Sequence, residues 1–217
     1  TETDITDRHI NYIFPVRSKK FRYSLEVRIW NDGFGFRLLF DKNTGLLVAD
    51  EPTQFNVPGD TVCRYQTDLK KMQGKTLTKK TSALPSGEIF SCMTAFEFPE
   101  KDIYIMITES DIENYPGMAL RSLGAGKFKV ELWDTDKFFI KGGKTPWRII
   151  TVCRSLEELV RCRVITHSAA PSSGKIYENA EWIRPGKSAW SYFIDEEHSR
   201  RFEKIMEFNA LAEQAGY

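Results

Sequence analysis

The sequence predicts a mainly β chain: an antiparallel sandwich over residues 1–154, a helical and loop connector over 155–185, and a single strand–helix unit over 186–217. Three observations carry this. The stretch "FRYSLEVRIW" alternates strictly, with Phe21, Tyr23, Leu25, Val27 and Ile29 on one face and Arg22, Ser24, Glu26 and Arg28 on the other, the period of a half-buried strand. Short segments of this kind recur with Gly, Pro and Asn between them, as in antiparallel sandwiches. Near Ser155 the period changes, and "SLEELVRC" opens a short helix with a capping-box arrangement.

The elements follow in order. "NDG" at Asn31 to Gly33 is a turn signal, and "FGFRLLF" resumes the alternation through Phe34, Phe36, Leu38 and Phe40, which makes a β-hairpin. Further strands are expected around Leu46–Val48, Ile89–Phe98, Ile103–Thr108, Phe128–Trp133, Phe138–Lys141 and Trp147–Cys153. "GAGKFK" at Gly124 to Lys129 lacks the context and ending of a phosphate-binding loop and reads as a hairpin turn. The connector is rich in Ser, Ala, Gly and Pro but carries Trp182, so it reads as ordered. After it, "SAWSYFI" is expected as a strand, and Phe202, Ile205, Met206, Ala212 and Ala215 recur at helical spacing. One βα unit cannot bury both faces of its strand, so the parallel sheet it begins is expected to be completed elsewhere.

Composition narrows the function. A net charge of +1, with basic residues dispersed among acids, offers no stripe to follow a phosphate backbone, so a nucleic-acid partner is not expected. No run approaches a membrane-spanning helix, and the polar, acidic start has no signal-peptide pattern. Cys63, Cys92, Cys153 and Cys162 form no CxxC pair and read as buried thiols. His9, His167 and His198 lack metal-ligand spacing, and "SAAPSSGK" contains no nucleophile elbow.

The densest chemistry lies in "YIMITESDIENYPGM", where an apolar strand delivers Glu109, Asp111 and Glu113 ahead of Tyr115, Pro116 and Gly117. Taken alone, these carboxylates read as a solvated strand-to-loop exit, because exposed acids are the commonest kind. The spacing is not that of an EF-hand, although a calcium site completed by ligands from elsewhere stays open. Trp190 beside Lys187, at the end of the expected parallel strand, is where a ligand would be sought.

Four segments together, "SLEVRIWNDGFGFRLLF", "IYIMITESDIENYPGMAL", "TPWRIITVCRSLEELV" and "WIRPGKSAW", resemble glycoside hydrolase family 97 and stand in its order. Members cleave α-linked glucosides or galactosides with calcium. The resemblance implies a β-supersandwich followed by the first βα unit of a (β/α)8 barrel, with the remainder of that barrel as partner and an oligosaccharide or α-glycoside as substrate. By position in "ITESD", Glu109 matches the sandwich glutamate that helps hold a calcium ion, while Trp190 and Lys187 would lie near the sugar. The family's catalytic carboxylates come from later barrel strands, so the resemblance assigns no catalytic residue to this chain. It also implies a periplasmic or secreted setting. A second hypothesis is a non-catalytic carbohydrate-binding or scaffolding sandwich.

Overall fold

The computed structural model describes residues 7–17, 22–58, 60–69, 74–133, 137–170, 180–184, 186–188, 190–193 and 196–216. Two compact units divide at Ala170 and Pro171. The first contains strands β1 (Ile10–Arg17), β2 (Arg22–Trp30), β3 (Gly33–Val48), β4 (Gln54–Asn56), β5 (Val62–Tyr65), β6 (Leu77–Lys80), β7 (Ile89–Ser91), β8 (Thr94–Phe98), β9 (Ile103–Ser110), β10 (Met118–Gly124), β11 (Lys127–Leu132), β12 (Phe138–Lys144) and β13 (Trp147–Cys153). Helices α1 (Leu156–Arg161) and α2 (Val164–Ser168) close it.

Among the described residues the strands form two antiparallel sheets. The larger runs β1-β2-β3-β13-β9-β8-β5-β6, with β12 also paired to β3, and the smaller runs β4-β11-β10-β7. Between them Phe55, Phe90, Leu120, Phe128 and Val130 of the smaller sheet meet Cys63, Tyr65, Phe96 and Ile107 of the larger. The opposite face of the larger sheet carries a second cluster, in which Trp30, Trp147 and Ile149 pack beneath Val164 of α2. Period-two alternation thus sends apolar side chains to both faces of the central strands, and the helices cover what the smaller sheet does not.

Several elements differ from the sequence-based expectation. The segments around Phe34–Phe40 and Leu46–Val48 are one long strand, because β12 pairs along β3 from Val48 to Leu39 across a bulge between Lys141 and Gly143. Residues 89–98, expected as one strand, are divided: Met93 takes φ 72°, and β7 and β8 enter different sheets. Such a corner lets one chain serve both layers. The hairpin at Asn31–Asp32 is present, with Trp30 opposite Gly33. The "GAGK" turn is present too, with Ala125 at φ 49° and Gly126 at φ 75°, the pair of positive angles that a two-residue hairpin turn demands.

The second unit holds single 3-10 turns at Ser191–Phe193 and His198–Arg200, then helix α3 (Phe202–Gln214). Of the expected strand "SAWSYFI", Ser191–Phe193 form a 3-10 turn and Ser188 and Trp190 take no regular structure, with 189 and 194 outside the described residues. A strand needs ladder partners for its N–H and C=O groups, and no described strand pairs with this segment. The helical spacing after it is as read, yet its stripe is open: Phe202, Ile205 and Met206 are 72%, 36% and 51% exposed.

Candidate functional site: a buried arginine between two glutamates

Strand β9 extends two residues past the expected Thr108, and this decides the fate of its acids. Glu109 pairs with Arg148 across the β9–β13 ladder, so both side chains stand on the same face of the sheet. Arg148 Nη1 donates to Glu109 Oε2 at 2.6 Å. On its other side Nε and Nη2 form a two-point grip on Glu51 at 2.8 and 2.5 Å. The second oxygen of Glu109 accepts the Met118 N–H at 2.7 Å, and the Tyr115 hydroxyl donates to Glu51 at 3.3 Å.

The three charged side chains are nearly dry, at 3% exposure for Arg148, 8% for Glu109 and 13% for Glu51. Burial opposes the charge on Arg148, but the hydrogen bonds and charges of Glu51 and Glu109 outweigh it and hold the guanidinium above its usual pKa. Tyr115 is pushed up by burial and then by the nearby Glu51 carboxylate. Its ring packs edge-on to Phe138 at 4.8 Å, which anchors the β9–β10 loop.

A second cluster sits beside the first. Asp111, at φ 57° just after β9, accepts from Arg37 at 2.9 Å and contacts Lys144. Burial works to raise the Asp111 pKa, but Lys144, the Ala170 N–H and Arg37 together outweigh it and the net direction is down. Arg37 also donates to Glu26 at 2.6 Å. Its guanidinium lies 4.3 Å from the Trp147 ring centroid, with Arg28 at 4.8 Å from the same ring, so this indole is engaged by two cations.

The solvated reading of the acidic stretch therefore holds for Glu113, which is exposed, and fails for Glu109 and Asp111. Their cations, Arg148, Arg37 and Lys144, come from strands distant in sequence, Glu51 comes from the segment between β3 and β4, and the sequence reading missed all four. The one local signal was Arg148 itself: in "TPWRIITV" a lone arginine interrupts an apolar strand, and such a residue is buried only when paired. Trp190 and Lys187 lie in the second unit. Both are exposed, and Trp190 stacks on Tyr192 with centroids 6.0 Å apart.

The family model for the glycosyl-hydrolase 97 N-terminal region matches residues 1–171. The chain belongs to glycoside hydrolase family 97. The matched region coincides with the sandwich and its two covering helices, so the family 97 N-terminal domain is the unit that holds the Arg148 cluster. Its curated relatives include the probable retaining alpha-galactosidase of Streptomyces bingchenggensis, 26% identical over 176 residues, and the retaining alpha-galactosidase of Bacteroides thetaiotaomicron, 24% identical over 208. The alignments take in 79% and 80% of this chain but only 26% and 31% of those proteins. Among solved structures, a family 97 enzyme from a Pseudoalteromonas strain, in complex with acarbose, superimposes with TM-score 0.72 at 19% identity, covering 98% of this chain and 35% of that one. A beta-arabinopyranosidase gives TM-score 0.67 at 18% identity, covering 97% and 40%. These likenesses establish the shared fold.

Proposed function

We propose that this family 97 chain is the N-terminal portion of a calcium-dependent α-glycosidase acting on oligosaccharides, with α-galactosides as the first substrate class and α-glucosides as the alternative. The observation that carries the reading is the family match across the sandwich, joined to relatives named as α-galactosidases. In this reading the second unit begins the (β/α)8 barrel, and the pair of catalytic carboxylates is supplied by barrel strands beyond these residues. Glycoside hydrolysis needs two carboxyl groups set across the scissile bond, one of them kept protonated as the acid. The buried acids of the sandwich do not suit the protonated role, because each is held by cations that favour its ionised form: Glu26 by Arg37, Glu51 and Glu109 by Arg148, and Asp111 by Arg37 and Lys144.

Calcium takes six to eight hard oxygen ligands. No group of three or more His, Cys, Asp or Glu side chains among the described residues is arranged to hold a metal. In this reading Glu109 is one ligand of a site completed by other donors, and not a site in itself. Its carboxylate is fixed by Arg148 and the Met118 N–H, each oxygen keeping a lone pair for a further partner. A calcium ion there would supply positive charge that orients and stabilises nearby oxyanions. Trp190 and Lys187, both exposed, are assigned to sugar contact through ring stacking and hydrogen bonding.

The test is hydrolysis of nitrophenyl α-galactoside and α-glucoside by the full polypeptide in which these residues occur. Release of nitrophenol by that polypeptide and none by the 217-residue chain alone is the expected result. No turnover of either substrate would overturn the glycosidase reading in favour of a non-catalytic carbohydrate-binding sandwich. Glu109→Ala should weaken both calcium affinity and turnover in the full polypeptide, and if both are unchanged the ligand assignment is wrong.

A further inference from the structure

We propose that Cys153 and Cys162 are the two halves of a disulfide site, oxidised by a small-molecule disulfide such as oxidised glutathione, which clasps helix α1 to the end of strand β13. The proposal stands on geometry within the first unit and is independent of the glycosidase reading. Cys153 is the last residue of β13, and Cys162 is the C-cap of α1. Both lie on the sheet face that carries Trp147 and Ile149: Cys153 follows them at even spacing along β13, and Cys162 packs against their cluster. The end of β13 and Cys162 meet at one backbone group: the Asp32 carbonyl accepts the Val152 N–H at 2.8 Å and the Cys162 thiol at 3.9 Å. The turn between β2 and β3 thereby fixes both cysteine-bearing segments against the same atom.

The surroundings give such a bond a purpose. Helix α1 buries none of its residues, and Leu156 and Val160 are 48% and 86% exposed. It is held by its N-terminal cap and, past its C-terminal end, by Cys162 and Val164 packed against Trp147 and Ile149. A helix this short is marginal without tertiary anchorage. A covalent link closing the loop from Cys153 to Cys162 removes unfolded-state entropy where noncovalent packing is thinnest.

The chemistry balances. The half-exposed Cys162, as thiolate, attacks one sulfur of the small disulfide, forming a mixed disulfide and releasing one thiolate. The Cys153 thiolate then attacks the Cys162 sulfur and expels the second. One S–S bond breaks and one forms, and the two protons lost by the cysteines end on the two small thiols released. Burial raises both thiol pKa values, that of Cys162 to about 12, so little thiolate exists at neutral pH and exchange is slow. This suits a bond made once and kept rather than a fast sensor.

The experiment treats the purified chain with excess oxidised glutathione at about pH 9, where thiolate is more abundant, followed by peptide mapping and thermal melting. The expected result is a peptide linking Cys153 to Cys162 with loss of two hydrogens, a linking rate that climbs with pH, and a melting temperature raised by roughly 5–10 °C. Cys162→Ser and Cys153→Ser should each abolish the link and the shift, while Cys92→Ser should leave both intact. Free thiols at both positions after oxidation, a link that includes Cys63 or Cys92, or a glutathione adduct on Cys162 as the final product would each overturn the proposal.

Discussion

Arg148 shows how much a single side chain settles in this molecule. It holds Glu51 from one side and Glu109 from the other while nearly excluded from water. Replacing it with Met leaves two buried carboxylates without their cation, and a loss of about 3–5 kcal/mol in urea unfolding is expected. Arg148→Lys should recover only part of this, since an ammonium cannot reproduce the two-point grip on Glu51. A test of Asp111 uses acid. Its folded pKa lies below the unfolded value near 3.8, so the ionised group stabilises the fold fully above about pH 4, and that contribution disappears as the pH drops through the lower folded value. Asp111→Asn should accordingly flatten the loss of stability on the acid side, as read by unfolding at stepped pH. If the slope is unchanged, the Lys144 and Arg37 contacts contribute nothing in solution.

Local chemistry sets the ends of the elements. The Ser155 Oγ accepts the Glu158 N–H at 3.1 Å, and the Glu158 carboxylate reaches back to the Arg154 N–H at 2.7 Å. Ser155→Ala should cost about 1 kcal/mol, with faster amide exchange confined to α1. At the β10–β11 turn, Gly126 sits at φ +75°, and an added Cβ would come within 2.2 Å of the Val57 carbonyl oxygen. Gly126→Ala should destabilise by about 1–3 kcal/mol, measured by thermal melting. Both features were readable in the sequence, because a cap and a hairpin turn depend on neighbours a few residues away. The same holds for β13, whose bounds match the expectation from Trp147 to Cys153. The reading failed where pairing is remote. It missed strand β5, whose Val62 pairs with Glu97 of β8, and it expected a strand at Ser191–Phe193, where no described ladder partner exists.

At the level of the whole molecule, the two buried clusters draw every member from residues 30–165, inside the unit that ends at Ala170. Residues 1–170 expressed alone should therefore fold cooperatively, with the β-type circular dichroism and the melting temperature of the longer chain. A fragment that stays unfolded would show that the second unit contributes to the stability of the first. The chain spans only a quarter to a third of the curated relatives it matches.

The sequence by itself determined the β class, the principal hairpins, the helix start at Ser155 and, through four segments standing in family order, the family. These depend on periodicity and short-range chemistry, which a linear pattern records. Tertiary structure alone decided the role of the acids. Glu109 and Glu113 are four residues apart and chemically alike, yet one ends in a dry ladder opposite Arg148 and the other in solvent. The difference comes from registering β9 against β13 and bringing Glu51 across from residues far upstream. Burial makes those pairings matter, since a charge removed from water must find its partner inside the fold.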